Sequence, residues 1–509
     1  MIAIGGTIGT GLLLRSGGAI ARAGPIGALL CFAIVGLQVF GVASGIGEMC
    51  TLLPVEGAFS AMPTRFVNPA LGFAGGWNYW IVWCLTFPAE LAGIAGLMGY
   101  WLPDVSSWIW SLVYLVPLAG VNMVSVTGFA EVEFVLCIIK IFAIVLFMII
   151  AVLYWFGVGH SDGVLGFRNW APAVVGSDST DSFLRIGATF TTAFFSYGGT
   201  ELVGLTAGEA ANPRAAVPRA INGTFWRILI FYIGSIFLVG VILPTTSPVL
   251  AQHSTSMSPF VYAYQAVGIS FASHFMNLVI IVAASSAANS SLYACARTLL
   301  RLAEEGSAPS IFARVNKRGV PINSVLAVTL VGLIAVVAAY ASGPKGSGQV
   351  FDWLSGVISY GIMANWMIMS FTHLRFRRGY SMQGRKLEDL PYIAPFYPYA
   401  DYVSLTIGSV VTVFLFISAF YNRAGTPNWF NTQWFLDNSW TYCGVPLIIV
   451  FYIAHGSLKS GFALVKYEDM DFETGRLIET EEEKSFNDAL KAKPKSWAEW
   501  GQRIWFKLF

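Results

Sequence analysis

The stretch Gly5-Gly6-Thr7-Ile8-Gly9-Thr10-Gly11 sits inside the first apolar segment of the chain, and its opening triplet returns as Gly198-Gly199-Thr200 in the sixth. A glycine inside a helix weakens it by up to about 1 kcal/mol relative to alanine, so both segments are predicted to unwind there. Unwound backbone exposes N–H and C=O groups that are tolerated at membrane depth only where they line a cavity. A half-helix N-terminus facing that cavity suits a carboxylate, and exposed carbonyls suit an ammonium. Two such breaks facing each other therefore fit a zwitterionic amino acid. The competing reading is that the glycines only let helices pack closely, as the spacings Ala89-x-x-x-Gly93 and Ala92-x-x-x-Gly96 do elsewhere. The equivalent placement of the two clusters, with polar Thr10, Ser196 and Glu201 beside them, favours a site.

The rest of the composition makes the bilayer the solvent. Of 509 residues, 56% are hydrophobic and 11% charged, with mean hydropathy +0.64, more apolar surface than a soluble core can hide. Apolar runs long enough to cross about 30 Å of hydrocarbon recur throughout. They predict an all-α integral membrane protein of about twelve spans, at 1–20, 25–53, 71–101, 108–126, 130–156, 183–211, 224–243, 270–300, 322–340, 350–372, 403–421 and 440–455. The net charge of +2 says little, but its placement gives orientation: with the amino terminus inside, inner connections collect about fourteen Lys and Arg against about six outside. Both termini are thus expected in the cytoplasm.

Six cysteines fall in predicted spans without metal-ligand or redox spacing and read as small hydrophobes. Asn222-Gly223-Thr224 and Asn289-Ser290-Ser291 match the glycosylation pattern, one facing the cytosol and one inside a span, so both read as chance matches. The Gly-rich opening segment has no basic leader or cleavage site and reads as the body of a first helix, with a cytosolic tail expected ahead of it. From 457 to 509 the chain turns polar, with an acidic cluster at Glu479, Glu481, Glu482 and Glu483 and an aromatic, basic end. This is a cytoplasmic tail, either solvated or laid on the inner membrane surface.

Four ionisable residues lie within predicted spans, Glu48, Glu90, Lys140 and Glu201, where each costs at least about 2.5 kcal/mol. Lys140 interrupts an apolar run a few residues from Glu131 and Glu133. It either snorkels to the inner surface or alternates between charged and neutral forms as a cavity opens and closes. Glu90, beside Pro88, and Glu201, after the sixth-segment triplet, either bind a proton or hold a helix by hydrogen bonding. No HExxH, P-loop, G-x-S-x-G or histidine cluster is present, so an enzyme is not expected, nor a metal or cofactor.

Specific strings point to a family. Met1-Ile2-Ala3-Ile4-Gly5-Gly6-Thr7-Ile8-Gly9-Thr10-Gly11-Leu12, the run from Phe195 through Gly204 into Gly208-Glu209-Ala210-Ala211-Asn212-Pro213-Arg214, Asn289 to Ala294, Ala303 to Pro309, Trp77-Asn78-Tyr79-Trp80 and the tail string around Thr474-Gly475-Arg476 resemble the fungal amino-acid permeases of the amino acid, polyamine and organocation superfamily. The resemblance covers essentially the whole chain. It implies a 5+5 inverted-repeat core with broken helices 1 and 6, a first repeat at 1–156, a second at 183–372, two additional helices at 403–456, and proton symport of amino acids at the plasma membrane. It implies further that Thr10 and Gly11 meet the substrate carboxylate, that the carbonyls of Phe195 and Gly198 meet its ammonium, and that Ile8, Ser196 and Tyr197 complete the pocket. Lys140 matches a lysine that takes the place of sodium in sodium-driven relatives, so sodium is not expected and protons are the coupling ion. Glu90 and Glu201 match acidic positions of the fungal group.

Val82 and Ile358 fall where basic-amino-acid permeases carry small hydroxyl residues, which argues for neutral or apolar substrates, since a buried cationic side chain needs polar partners. Arg15 stands where the family has glycine, and it either lines the outer vestibule or points to headgroups. Trafficking or ubiquitin-ligase adaptors at the tail are the macromolecular partners expected, and nucleic acid is not. A transporter-like amino-acid sensor signalling through the tail is the alternative to transport.

Overall fold

The structure, a computed structural model, describes residues 8–55, 57–124, 126–158, 163–202, 212–247, 258–268, 270–343, 346–420 and 443–476. Gly5 to Thr7, the string 203–211 and the tail beyond Arg476 lie outside the described residues. Every regular element among those described is a helix. Among the described residues, eight helices are long and apolar enough to cross a membrane, and Ser107–Met123 and Gly444–Ser460 are shorter apolar ones.

The chain begins with a four-residue helix, α1 (Thr10–Leu13), followed by α2 (Ser16–Leu52). α2 is two helices in one: Gly24 sits at φ 78°, ψ 167°, which L side chains adopt only under strain, and a Cβ there would lie 2.5 Å from the Ala173 carbonyl oxygen. That break falls between the first two predicted spans. After α3 (Ala58–Phe66) comes α4 (Pro69–Met98). Asn68 caps its start by accepting from the Leu71 N–H at 2.8 Å, with Pro69 as the first helical residue. α5 (Ser107–Val124) and α6 (Val126–Trp155) follow, and α7 (Ser179–Tyr197) is capped by Asp178.

The predicted span 224–243 is α8 (Pro213–Arg227) and α9 (Ser235–Ile242), joined without a loop by a widened π-helical stretch, Ile228–Gly234. The remaining helices are α10 (Pro259–Ala266), α11 (Ser270–Glu304), α12 (Ile322–Ala341), α13 (Gly346–Met382), α14 (Tyr399–Phe420) and α15 (Gly444–His455). α4 is the central post, packed against α11 and α13 along its length.

α6 displays the solvent inversion. It exposes Phe134, Ile138, Phe142, Val145 and Ile149 while burying Lys140 and Glu133, so its apolar side faces outward and its charges face the protein. Five cysteines are buried as expected, whereas Cys443 is exposed because it precedes α15 rather than lying within it. Glu48 is fully buried at the junction of α2, α13 and α14. Arg377 grips both its oxygens, the Ala394 N–H donates to Oε2 at 2.6 Å, and His373 bridges toward Asp401 at 2.8 Å.

The start of the tail is docked rather than solvated. Phe472, 1% exposed, packs against Phe66, Phe376 and Tyr380, and Arg65 donates to the Thr474 carbonyl at 2.7 Å. Asp471 accepts from the main-chain N–H groups of Thr474 and Glu473, bonds that hold its carboxyl down at about 2. Truncating a buried Phe costs about 3–5 kcal/mol. Phe472→Ala is therefore expected to lower the apparent unfolding temperature of the purified protein by several degrees, and Leu464→Ala, at an exposed tail position, to leave it nearly unchanged. Equal effects in a thermal-shift measurement would remove the docked tail from the fold.

Candidate functional site

Two interruptions of regular helix meet in the interior. In the first, Gly9 is extended at φ −130°, ψ −156°, and as a glycine it offers no capping side chain to the start of α1. In the second, α7 stops at Tyr197. Gly198 leaves the helical region at φ −53°, ψ 138°, and Gly199 takes φ +98°, where glycine alone is unstrained. Glu201 folds back to accept from the Gly199 N–H at 3.1 Å, and Thr200 donates to the Tyr197 carbonyl at 3.0 Å. The breaks touch: a Cβ on Gly11 would lie 2.6 Å from Ser196 Cα.

A pocket with an empty volume of about 410 Å³, its mouth included, lies between the breaks and the faces of α4 and α13. Gly9 and Gly11 come from the first break, and Phe195, Ser196, Gly198 and Gly199 from the second. Val82 and Ile358 form apolar wall, and Glu90 lines the pocket too. Ile8, Thr10 and Tyr197 stand behind that wall. The Ile8 carbonyl accepts from Lys140 Nζ at 3.5 Å, and Thr10 Oγ1 donates to Glu90 Oε1 at 2.9 Å. The Tyr197 side chain turns away, its hydroxyl donating to the Phe32 carbonyl at 3.0 Å and its ring stacked on Tyr232.

Lys140 does not snorkel. It is 1% exposed, donates to Ser286 Oγ at 2.6 Å and lies 3.7 Å from Glu133 Oε1, with Ser286 also bonded to Glu133. This cluster adjoins the pocket, because Ala287, the next residue on α11, lines it. Glu90 Oε2 and Glu133 Oε2 have no hydrogen-bond partner among the described residues.

Trp83, Thr86, Ala287 and Ile362 also line the pocket and were missed from sequence. Thr86 lies four residues from both Val82 and Glu90, and Ile362 four from Ile358, so helical spacing on the walls already named points to both. Glu133 and Lys140, seven apart, share a helix face by the same rule. Ser286 carries no such mark in an apolar, serine-rich segment.

Apolar spans around a pocket built from interrupted helices define a membrane transporter for a small polar molecule. The amino acid permease family model matches residues 1–462, and the chain belongs to that family: it is a transmembrane amino-acid transporter and not an enzyme. It is 38% identical to the lysine-specific permease LysP of Lactococcus lactis over 92% of this chain and 90% of that one. It is 35% identical to LysP of Escherichia coli, over 93% and 94%, and 38% identical to the basic amino-acid permease of Saccharomyces cerevisiae, over 81% and 73%. Bacterial and fungal relatives match comparably, so the comparisons give the family without favouring a fungal source.

The contact between the breaks makes Gly11 sensitive to the smallest side chain. Gly11→Ala is expected to lower equilibrium binding of a labelled amino acid at least tenfold, while Gly18→Ala, where an added Cβ meets nothing within 4 Å, leaves it unchanged. Full affinity in Gly11→Ala would separate that contact from binding.

Proposed function

We propose that this permease takes up amino acids together with protons, by alternating access to the pocket between the two breaks. The observation that carries the reading is that the two glycine interruptions, almost two hundred residues apart in sequence, line one cavity. In this reading the main-chain N–H groups at Thr10 and Gly11 hold the substrate carboxylate, and the carbonyls of Phe195 and Gly198 hold its ammonium. Ile8, Ser196 and Tyr197 support those groups. The core is a 5+5 inverted repeat of a twelve-span protein, with the third helix of the first repeat and the fifth of the second supplying the side walls.

Lys140 is the coupling group. Its ammonium donates to the Ile8 carbonyl, so its charge is tied to the first break, and losing the proton loosens that tie as the cavity changes access. Glu90 carries a proton beside Thr10, and Glu201 steadies the second break. One proton is sufficient: about 2.3 kcal/mol per 100 mV plus about 1.4 kcal/mol per pH unit exceeds the about 2.8 kcal/mol of a hundredfold amino-acid gradient. The protein resides in the plasma membrane with both termini cytoplasmic, the tail serving trafficking or ubiquitin-ligase adaptors. The distribution of Lys and Arg supports that orientation, and the sequence strings support a fungal cell.

Apolar Val82 and Ile358 favour neutral or apolar side chains. A second reading, cationic substrates, draws on the names of the lysine-specific and basic amino-acid relatives. Uptake of labelled amino acids into proteoliposomes under an imposed pH gradient tests the proposal, and a competition panel separates the substrate readings. Lys140→Ala is expected to abolish gradient-driven accumulation while weakening binding far less. Equal loss of both would move Lys140 from coupling to folding, since stranding the Glu133 partner of a buried pair costs about 3–5 kcal/mol by itself.

A further inference from the structure

One stripe of α13 carries the pocket wall and continues past it. Ile362 and Ile358 line the pocket; Ser355 and Asp352 follow at three-residue steps on the same face, each step rising about 4.5 Å. Arg15 occupies the upper part of that stripe. Its guanidinium bonds to Ser355 Oγ and reaches Asp352 Oδ1 at 3.2 Å. It also lies 5.9 Å from the ring centroid of Phe195, a pocket residue, and 5.6 Å from that of Phe351. The pair is asymmetric: the Arg15 side chain is 15% exposed and that of Asp352 43%. The carboxylate is thus the more accessible partner and the guanidinium the more buried one, set against the ring of the pocket residue Phe195.

We propose that Arg15 is a specificity-determining residue, a fixed positive charge one helical turn from the pocket wall that excludes amino acids with cationic side chains and admits neutral and anionic ones. This rests on the transport reading above and narrows its substrate class. Three further charges lie nearby. Lys140 is paired with Glu133 and engaged with the first break, and Glu90, which carries a proton in the loaded state of that reading, is then neutral. A substrate side chain extending along the Ile362–Ile358 stripe meets the guanidinium next. A lysine or arginine side chain there meets a like charge whose counter-ion Asp352 is already engaged, which is the unfavourable half of specificity, whereas a carboxylate gains a planar, bidentate partner.

The test is uptake of labelled leucine, lysine and glutamate by the full-length protein in proteoliposomes, for wild type, Arg15→Gly and Arg15→Lys, each checked for folding by size-exclusion chromatography. The lysine-to-leucine uptake ratio is expected to be below one tenth in wild type, to rise about tenfold or more in Arg15→Gly, and to stay low in Arg15→Lys, which keeps the charge but not the fork. Where Arg15→Gly fails to fold, Asp352→Asn serves instead: removing the counter-ion should lower the lysine ratio further and raise that of glutamate. An unchanged ratio in Arg15→Gly, an equal rise in Arg15→Lys, or wild-type lysine uptake matching leucine would overturn the proposal. Absence of uptake of every amino acid by wild type would instead sink the transport reading on which it rests.

Discussion

The constraint that organises this protein is that main-chain N–H and C=O groups inside a bilayer must find partners, each unmet one costing several kcal/mol. A helix meets the demand automatically, so any departure from helix must be repaired locally or must face a cavity. Both happen at the breaks. Glu201 and Thr200 turn back onto the backbone around Gly199, and Lys140 reaches the Ile8 carbonyl from another helix. What is left over, the start of α1 and the end of α7, opens on one pocket.

The buried charges divide by the same accounting. Glu48 is saturated, with Arg377 on both oxygens and the Ala394 N–H besides, and the cluster ties α2 to α13 far from the pocket. Glu90 and Glu133 each keep one oxygen without a partner among the described residues, and both lie at or beside the pocket. A fully satisfied buried network rigidifies, while a partly satisfied one is energetically exposed to any change of proton or neighbour. Sequence alone put Glu48 and Glu90 in one class, as charges in apolar runs. Partner count separates them into a clamp and a group available for work.

The parts legible in the sequence are those written in local chemistry. Glycines that cannot hold a helix marked the breaks at Gly9 and Gly199, and the second predicted span begins at Pro25, one residue past the Gly24 break. Glu90 stood out as a charge in an apolar run, and it lines the pocket. What stayed illegible depends on which way a side chain turns in three dimensions. Tyr197 sits at the break yet its ring leaves the pocket for Phe32 and Tyr232, because the helix end rotates it toward α2. Lys140 was open between surface and interior, since a run such as Phe134 to Tyr154 gives no sign of which face meets lipid. Ser286, which joins Lys140 to Glu133, is one serine among several. The docking of Phe472 could not be foreseen, because its aromatic partners lie on α3 and α13, distant in sequence.

The division of labour at the pocket also bears on how such a site changes its substrate. Groups common to all amino acids are met, in the proposed reading, by main-chain atoms of the two breaks, and main chain does not vary with sequence so long as the glycines persist. The walls are side chains of α4 and α13, two helices packed along each other. A substitution on the wall can therefore alter which side chain fits while leaving the grip on the zwitterion intact. A substitution in the breaks, by contrast, moves backbone against backbone at Gly11 and Ser196 and takes binding and packing together. Selectivity in this fold is thus free to drift where the backbone is regular, and is fixed where it is not.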